Sequence, residues 1–512
     1  LKKAENDQKM MKELFKILLN RLSILFLLTL IVFTSSLQAK FEFTPNCQKA
    51  MQEILDLRTL SARELLDKER KLHPDNGYVI YLEQFADAVE LIVTDDSTLY
   101  FRLIDAYDSR CKEMDRLDDG SPYNSILQAE MLLYVGLAQV KYGSQLTGAS
   151  KILSSYRSVK DHVSDFPDFT LNLKMSGMYF IMMDFIPQSM RWITDILGFD
   201  GNAARGMTQL KEYFSNVRNT PGLAEEAVIM INLAYKLTWQ DPAGLEFMAG
   251  LDKSFANVVL INQLYASSAS FSYKNDLAIQ KLMQIDRSRI QVPFYGMDYL
   301  LGRCLLNRLD QDARLPLEIF LKDYTGEDYK KDVCNRLSYY YLLQGDLKKY
   351  NEYRKMVSTV GRNLRDRDLE AIEESKSLIV PHIGLLKARL LFDGGNFHKA
   401  DSVMREIPPA TLSLVPYQLE FSYRQGRIGQ MLGKADQASI ELKKAFEAGA
   451  IEPYTFATRA ALQLGSIYEG KKDYPNALFW YKKCLETYDE AHTVGSVKDK
   501  AEKGKKRMEK LM

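Results

Sequence analysis

The sequence predicts an all-α protein: a solenoid of helical hairpins whose amino-terminal half is a degenerate form of the same architecture. Three observations predict it. Ala400, Ala438 and Ala477 recur 38 and 39 residues apart, each at the same point of a helix-turn-helix pattern, and a fixed period of this length marks a structural repeat. Glycines recur as well, with Gly136 and Gly143 spaced seven apart like Gly426 and Gly433. Finally, 512 residues, 46% hydrophobic and 26% charged, can bury a large core yet exceed one compact domain, as expected of a fold that grows by stacking.

The last unit carries the clearest pattern. Leu464, Gly465 and Tyr468 share one face of a first helix, and Ala477 and Tyr481 follow on a second. This is the tetratricopeptide (TPR) arrangement, in which small residues let two helices cross closely while aromatics fill the groove to the next repeat. The preceding unit aligns through Gly426, Gly433, Ala438, Leu442 and Ala445, with Gly429 where tyrosine is expected. The unit before it has Ala388, Leu391, Gly395, Ala400 and Met404, with Asp393 to Asn396 as its turn. Further upstream the pattern loosens. Two helix pairs are expected between Tyr299 and Tyr353, one opening at Leu301-Gly302 and the other ending at Gly345-Asp346. Ala62, Leu66 and Pro74 keep the spacing of a TPR second helix, with His73 at its end. Repeat-like structure is therefore expected from near residue 40.

Residues 1–39 read as a secretory leader, with translation starting at Met10 or Met11. Lys12, Lys16 and Arg21 form a basic stretch, Leu22 to Phe33 an apolar one, and Ser35 to Ala39 a cleavage region. Cleavage before Lys40 is expected, and an uncleaved membrane anchor is the alternative. No cysteine follows directly, and Thr44 to Cys47 lacks a lipoprotein box. The remaining chain divides into a degenerate helical half (40–285), a TPR array (286–488), and a charged capping tail (489–512) that includes Lys505, Lys506 and Arg507. Without the leader it carries 62 basic and 64 acidic residues, a balance that gives no long-range attraction to nucleic acid.

The most apolar internal stretch, Met178 to Phe199, is interrupted by Asp184, Pro187, Arg191 and Asp195. It reads as a buried helical hairpin, since a bilayer crossing needs about 20 mostly apolar residues. Met175, Met178, Met182, Met183 and Met190 there suit core packing, or an adaptable groove for an apolar ligand. Cys47, Cys111, Cys304, Cys334 and Cys484 are separated by 64, 193, 30 and 150 residues, which matches neither a metal clip nor a redox pair. They are expected as buried thiols, with a Cys47–Cys111 disulfide as the alternative. The histidines His73, His162, His382, His398 and His492 are isolated, so no metal is expected. Gly465 to Lys472 has the spacing of a phosphate loop but lacks its strand and its Ser or Thr, and it belongs to the last repeat. No catalytic residue and no cofactor is expected.

Gly177 to Phe180, Phe185 to Pro187, Ile196 to Gly201, Arg205-Gly206 and Leu210 together resemble the central segment of the eukaryotic tetratricopeptide repeat 39 and inclusion-body-clearance family. Tyr329 to Asp332 and Leu342 to Asp346 resemble its later helix pair. The chain is also similar to secreted TPR proteins of Bacteroidetes-type bacteria. These resemblances imply an all-helical repeat adaptor. Its eukaryotic relatives lack this leader, so their roles at lipid droplets and aggregates are not carried over.

The function expected is a periplasmic scaffold binding a protein or peptide across its concave face, where Tyr423, Arg424 and Arg427 are the candidate surface. The alternative is a carrier of a small apolar or lipidic ligand in the Met-rich region. A glycan-binding role has only Trp192, Trp239 and Trp480 for sugar stacking. The leader makes a direct prediction: fractionation with mass spectrometry finds an amino terminus near Lys40 in soluble envelope material. An intact Arg21 to Phe33 segment in the inner membrane contradicts cleavage.

Overall fold

A computed structural model describes residues 40–117, 120–184, 201–251, 253–363, 365–449, 455–490 and 493–512. The leader, the 185–200 stretch with Met190 and Trp192, and His492 lie outside the described residues. Among the described residues the chain forms 24 α-helices and no strand. They are antiparallel hairpins: α1 (Pro45–Leu55) with α2 (Thr59–Leu72), α3 (Gly77–Thr94) with α4 (Ser97–Arg116), and α5 (Pro122–Tyr142) with α6 (Gln145–Asp165). Next come α7 (Thr170–Asp184) with α8 (Ala203–Val217), α9 (Leu223–Leu237) with α10 (Asp241–Ala249), and α11 (Val259–Phe271) with α12 (Asn275–Met283). The series continues through α13 (Gly296–Asn307) with α14 (Arg314–Asp323) and α15 (Lys330–Leu343) with α16 (Leu347–Met356). A single helix, α17 (Asp366–Lys376), interrupts it. Pairing then resumes with α18 (Ile383–Asp393) and α19 (Phe397–Arg405), α20 (Val415–Met431) and α21 (Ala435–Gly449), and α22 (Thr455–Gly470) and α23 (Tyr474–Glu486), before α24 (Gly495–Leu511) closes the stack.

One turn recurs in eight hairpins. There the second residue after the first helix enters the left-handed region, at Leu57, Trp239, Tyr273, Leu309, Gly345, Gly395, Gly433 and Lys472. At each, the next residue's N–H reaches back to a carbonyl five residues before it: Lys274 to Ala269, Asp310 to Leu305, Asn396 to Leu391, Lys434 to Gly429 and Asp473 to Tyr468. This is the Schellman termination, which satisfies carbonyls left open at a helix end. Glycine adopts it freely, whereas Leu57, Trp239, Tyr273 and Leu309 hold it against the preference of side-chain-bearing residues. Three hairpins of the degenerate half, turning at Leu57, Trp239 and Tyr273, thus keep the repeat's turn without its glycine.

Small residues set the crossings. A β-carbon on Gly206 would stand 2.5 Å from the Gly177 carbonyl oxygen, one on Gly426 2.6 Å from Leu442, and one on Gly465 2.6 Å from the Tyr481 ring. Tyr481 also packs against Gly504 of α24. Ala388, Ala400, Ala438, Ala445, Leu464 and Ala477 are fully buried. Of the apolar hairpin expected at Met178 to Phe199, Met178 to Asp184 end α7 and the rest lies outside the described residues; α7 packs on α8 through Gly177 and Gly206. Met175 and Met183 are buried there, while Met178 and Met182 are partly buried against neighbouring core clusters. All five cysteines are thiols, Cys47 and Cys111 included, and burial pushes the Cys47 thiol up to about 11.

Buried polar contacts lock successive hairpins in register. Lys174 on α7, 2% exposed at its side chain, lies 2.7 Å from Glu130 of α5 and 2.6 Å from Glu226 of α9. Removing Lys174 would leave two buried carboxylates without a counter-charge, which is strongly destabilising. The stack curls on itself: Gln291 and Val292 donate to the Leu57 carbonyl at 2.9 and 3.1 Å, and the Tyr324 hydroxyl donates to Asp95 at 2.6 Å, 229 residues away. Apolar packing runs without a gap across residue 286, since Ile285, Val292 and Met297 share one core with Met51 and Tyr81.

Ala477→Leu places three extra heavy atoms into a site with no exposure. Overpacking of this kind costs about 1–3 kcal/mol. Thermal unfolding followed by circular dichroism should show a lower melting temperature, and an unchanged value would mean that the crossing lies elsewhere.

Candidate functional site

The site begins with the helix that breaks the pairing. The sequence of α17, Asp366 to Lys376, is mostly charged, yet Asp368 and Ala371 are at most 1% exposed. This helix lies across the inner face of the superhelix, against first helices of several hairpins. Its Asp368 carboxylate accepts the backbone N–H groups of Tyr329 at 2.7 Å and Asp332 at 3.1 Å, capping α15, whose own Tyr329 provides no side-chain cap. A carboxylate at a helix amino terminus satisfies open donors and complements the dipole. Glu370 pairs with Arg459 of α22 at 2.7 Å, and Glu374 with Arg389 of α18 at 2.7 Å. The Ser375 carbonyl accepts from Arg354 of α16 at 3.2 Å, and Ala371 packs against Cys334 and Val357.

Beside α17 a cavity of about 1000 Å³ remains, walled by α11, α13, α15, α18, α20 and α22 and by Tyr488, Glu490, Thr493 to Val497 and Lys500. The three residues proposed from the sequence as a binding surface, Tyr423, Arg424 and Arg427, all lie on this wall. The Tyr423 ring centroid is 5.3 Å from that of Phe456, Arg424 is held by Glu420 at 2.6 Å, and Arg427 stands 5.1 Å over the Phe392 ring while donating to Gln430 at 2.9 Å. The repeat positions Ala388, Gly395, Ala400, Gly426, Gly433, Ala438, Ala445, Leu464, Gly465, Tyr468, Ala477 and Tyr481 do not line it. They hold the hairpins that form it.

The wall carries ten basic and seven acidic side chains, and their pairing is uneven. Arg336 is neutralised by Asp332 at 2.6 Å, Arg389 by Glu374, Arg424 by Glu420 and Arg459 by Glu370. Among the described residues, Arg303, Arg367 and Arg427 have no carboxylate within ion-pair distance. Arg303 is 4% exposed, donates to the Ser270 hydroxyl at 2.6 Å, and leaves its buried Nε without a hydrogen-bond partner. Burial and the nearby Arg367 hold its guanidinium below the ordinary arginine range. Arg303 and Arg367 place their guanidinium carbons 5.0 and 5.5 Å from the centre of the Phe271 ring. The sequence reading missed this pair and α17 itself.

Chemically, the cavity offers charge, hydrogen-bond donors and aromatic surface. Among the described residues no group of His, Cys, Asp or Glu is placed to hold a metal ion, and no helix is long and apolar enough to cross a membrane. Gly465 to Tyr468, the start of the apparent phosphate loop, is helical backbone within α22.

The anchoring of α17 responds to acid. Burial alone would raise the Glu374 carboxyl, but Arg389, with hydrogen bonds from Tyr339 and Asn335, outweighs it and holds it at about 2. Because the folded value lies below the unfolded one, its stabilisation is complete above about pH 4.5 and is lost as pH falls toward 2. Amide exchange in α17 should therefore accelerate over that window. Glu374→Gln should flatten this acid dependence relative to the native chain, and identical profiles would contradict the anchor.

Models of protein families and curated protein sequences provide no match to the chain. Solved structures similar to it include a monomeric IFIT1 mutant with m7Gppp-AAAA, at 14% identity over 93% of this chain and 92% of that one, TM-score 0.29. Another is the P58(IPK) TPR domain, at 14% identity over 81% and 97%, TM-score 0.20. A third is Naa15/Naa10 bound to HypK-THB, at 12% identity over 91% and 78%, TM-score 0.23. Likeness at this level carries nothing about partner or activity.

Proposed function

We propose that this chain is a non-catalytic TPR-like scaffold of the cell envelope that binds a protein or peptide on its concave face, beside α17. One observation carries the reading: a cavity of about 1000 Å³ on the inner face, lined by first helices and by mixed polar and aromatic side chains. Stacked repeats present such a surface because each adds one first helix to a continuous groove. Extended or helical segments dock in grooves of this kind through main-chain and side-chain contacts. The envelope location rests on the leader at residues 12–39, and a chain anchored by an uncleaved leader is its variant. Nucleic acid is disfavoured by the near-balanced charge of the chain.

The test compares inner-face and outer-face variants of the full chain in affinity capture from envelope extract. Tyr423→Ser and Arg427→Gln should reduce capture of the partner about tenfold or more, since aromatic and arginine anchors dominate such interfaces. Ile440→Ser, at an exposed position of α21, should leave capture intact. Equal capture by all variants contradicts the concave-face reading. An apolar small molecule retained in native mass spectrometry, lost on replacing Met178, Met182 and Met183 by Leu, would favour the ligand-carrier alternative instead.

A further inference from the structure

We propose that the pocket formed by Phe271, Arg303 and Arg367 receives a carboxylate of an acidic peptide segment. The inference deepens the scaffold reading and rests on it. A guanidinium taken out of water is costly unless an opposite charge accompanies it, and four arginines of this cavity, Arg336, Arg459, Arg389 and Arg424, obey that rule through Asp332, Glu370, Glu374 and Glu420. Among the described residues Arg303 and Arg367 make no ion pair, and Asp332 and Glu370 act on Arg367 only from beyond ion-pair distance. The two arginines sit within 5.0 and 5.5 Å of one ring centre, where like charges repel and an anion between them would be held from two sides. Lys236, 4.6 Å from the same ring, is neutralised by Asp241 at 3.1 Å and adds no charge to the pocket.

The hydrogen-bonding inventory points to the same occupant. Ser270 accepts from Arg303 at 2.6 Å and from the Cys304 thiol at 3.5 Å, so its own hydroxyl proton remains to be donated to an anion. Asn307, on the same wall, has a buried amide oxygen without a donor, and a peptide N–H adjoining the bound carboxylate supplies one. Planar carboxylates match guanidinium donors in pairs. A polyphosphate or nucleic-acid backbone fits less well. The surplus on the wall is only three charges, and Glu370, Glu373 and Glu374 stand among the arginines, where they would repel a dense run of phosphates. The aromatic surface of Phe271, Tyr273 and Tyr339 suits the apolar part of a peptide.

The experiment uses the full chain and fluorescence anisotropy with a labelled ten-residue peptide rich in Asp and Glu. A control peptide carries Asn and Gln at those positions, and unlabelled tripolyphosphate and succinate serve as competitors. The acidic peptide should bind about tenfold or more tightly than the control, weaken as salt is raised, and lose about tenfold or more on Arg367→Gln, with the melting temperature unchanged. Arg303→Gln should act in the same direction, and the more exposed Arg367 gives the reading if Arg303→Gln misfolds. Equal binding of both peptides, or full binding by Arg367→Gln, overturns the carboxylate site and leaves the scaffold standing. Tripolyphosphate binding more tightly than the acidic peptide overturns it in favour of a phosphate site, and succinate alone binding overturns it in favour of a free small acid. Binding of neither peptide overturns both this inference and peptide binding in the groove.

Discussion

Close approach of two helices at a small residue, followed by a left-handed turn, is the constraint on which the rest of this molecule depends. Where Gly177 meets Gly206, or Gly465 meets Tyr481, the gap leaves no room for another β-carbon. Where few residues join the two helices of a hairpin, as at Leu57 and Lys472, the Schellman turn supplies the reversal. Repetition of one hairpin geometry fixes the rotation between neighbours, and a constant rotation produces a curved stack. Its curvature brings Leu57 to Gln291 and Asp95 to Tyr324. It also gives the stack an inner face, and the cavity is a property of that face rather than of any single repeat.

The helix α17 changes what the inner face can do. A groove lined by arginines would be an expensive surface to desolvate if empty, and the chain meets part of that demand with its own Glu370 and Glu374. Their ion pairs tie α17 to the adjacent α18 and to α22, 89 residues away, while Asp368 caps α15. The result is a strut that narrows the groove and leaves a bounded space beside it. Arg303 of α13 and Arg367 of α17 itself, neither in an ion pair among the described residues, stand in that space.

Much of the fold was legible because the repeat writes itself in small residues. Ala400, Ala438 and Ala477 must be small for a steric reason, so their spacing exposes the register of the last three hairpins. The register also placed Tyr423, Arg424 and Arg427 on the first helix of a hairpin, from which an inward position follows. Further toward the amino terminus the signal fades, since Trp239, Tyr273 and Leu309 occupy a left-handed position that normally announces itself with glycine. Packing holds them there, and packing is not written locally. The helix α17 was illegible for the opposite reason. Its charged residues occupy no repeat position, and only the folded chain brings Arg389 and Arg459 to them. Arg303 likewise became distinctive only once its neighbours were found to be paired and it was not.

The central claim is that partners engage the inner face beside α17. Hydrogen exchange of the full chain, alone and with its captured protein partner, tests it most directly. The account predicts new protection confined to α11, α13, α15, α17, α18, α20 and α22. Protection centred instead on the outer helices α12, α14, α19, α21 and α23, with α17 and the first helices unchanged, would contradict it.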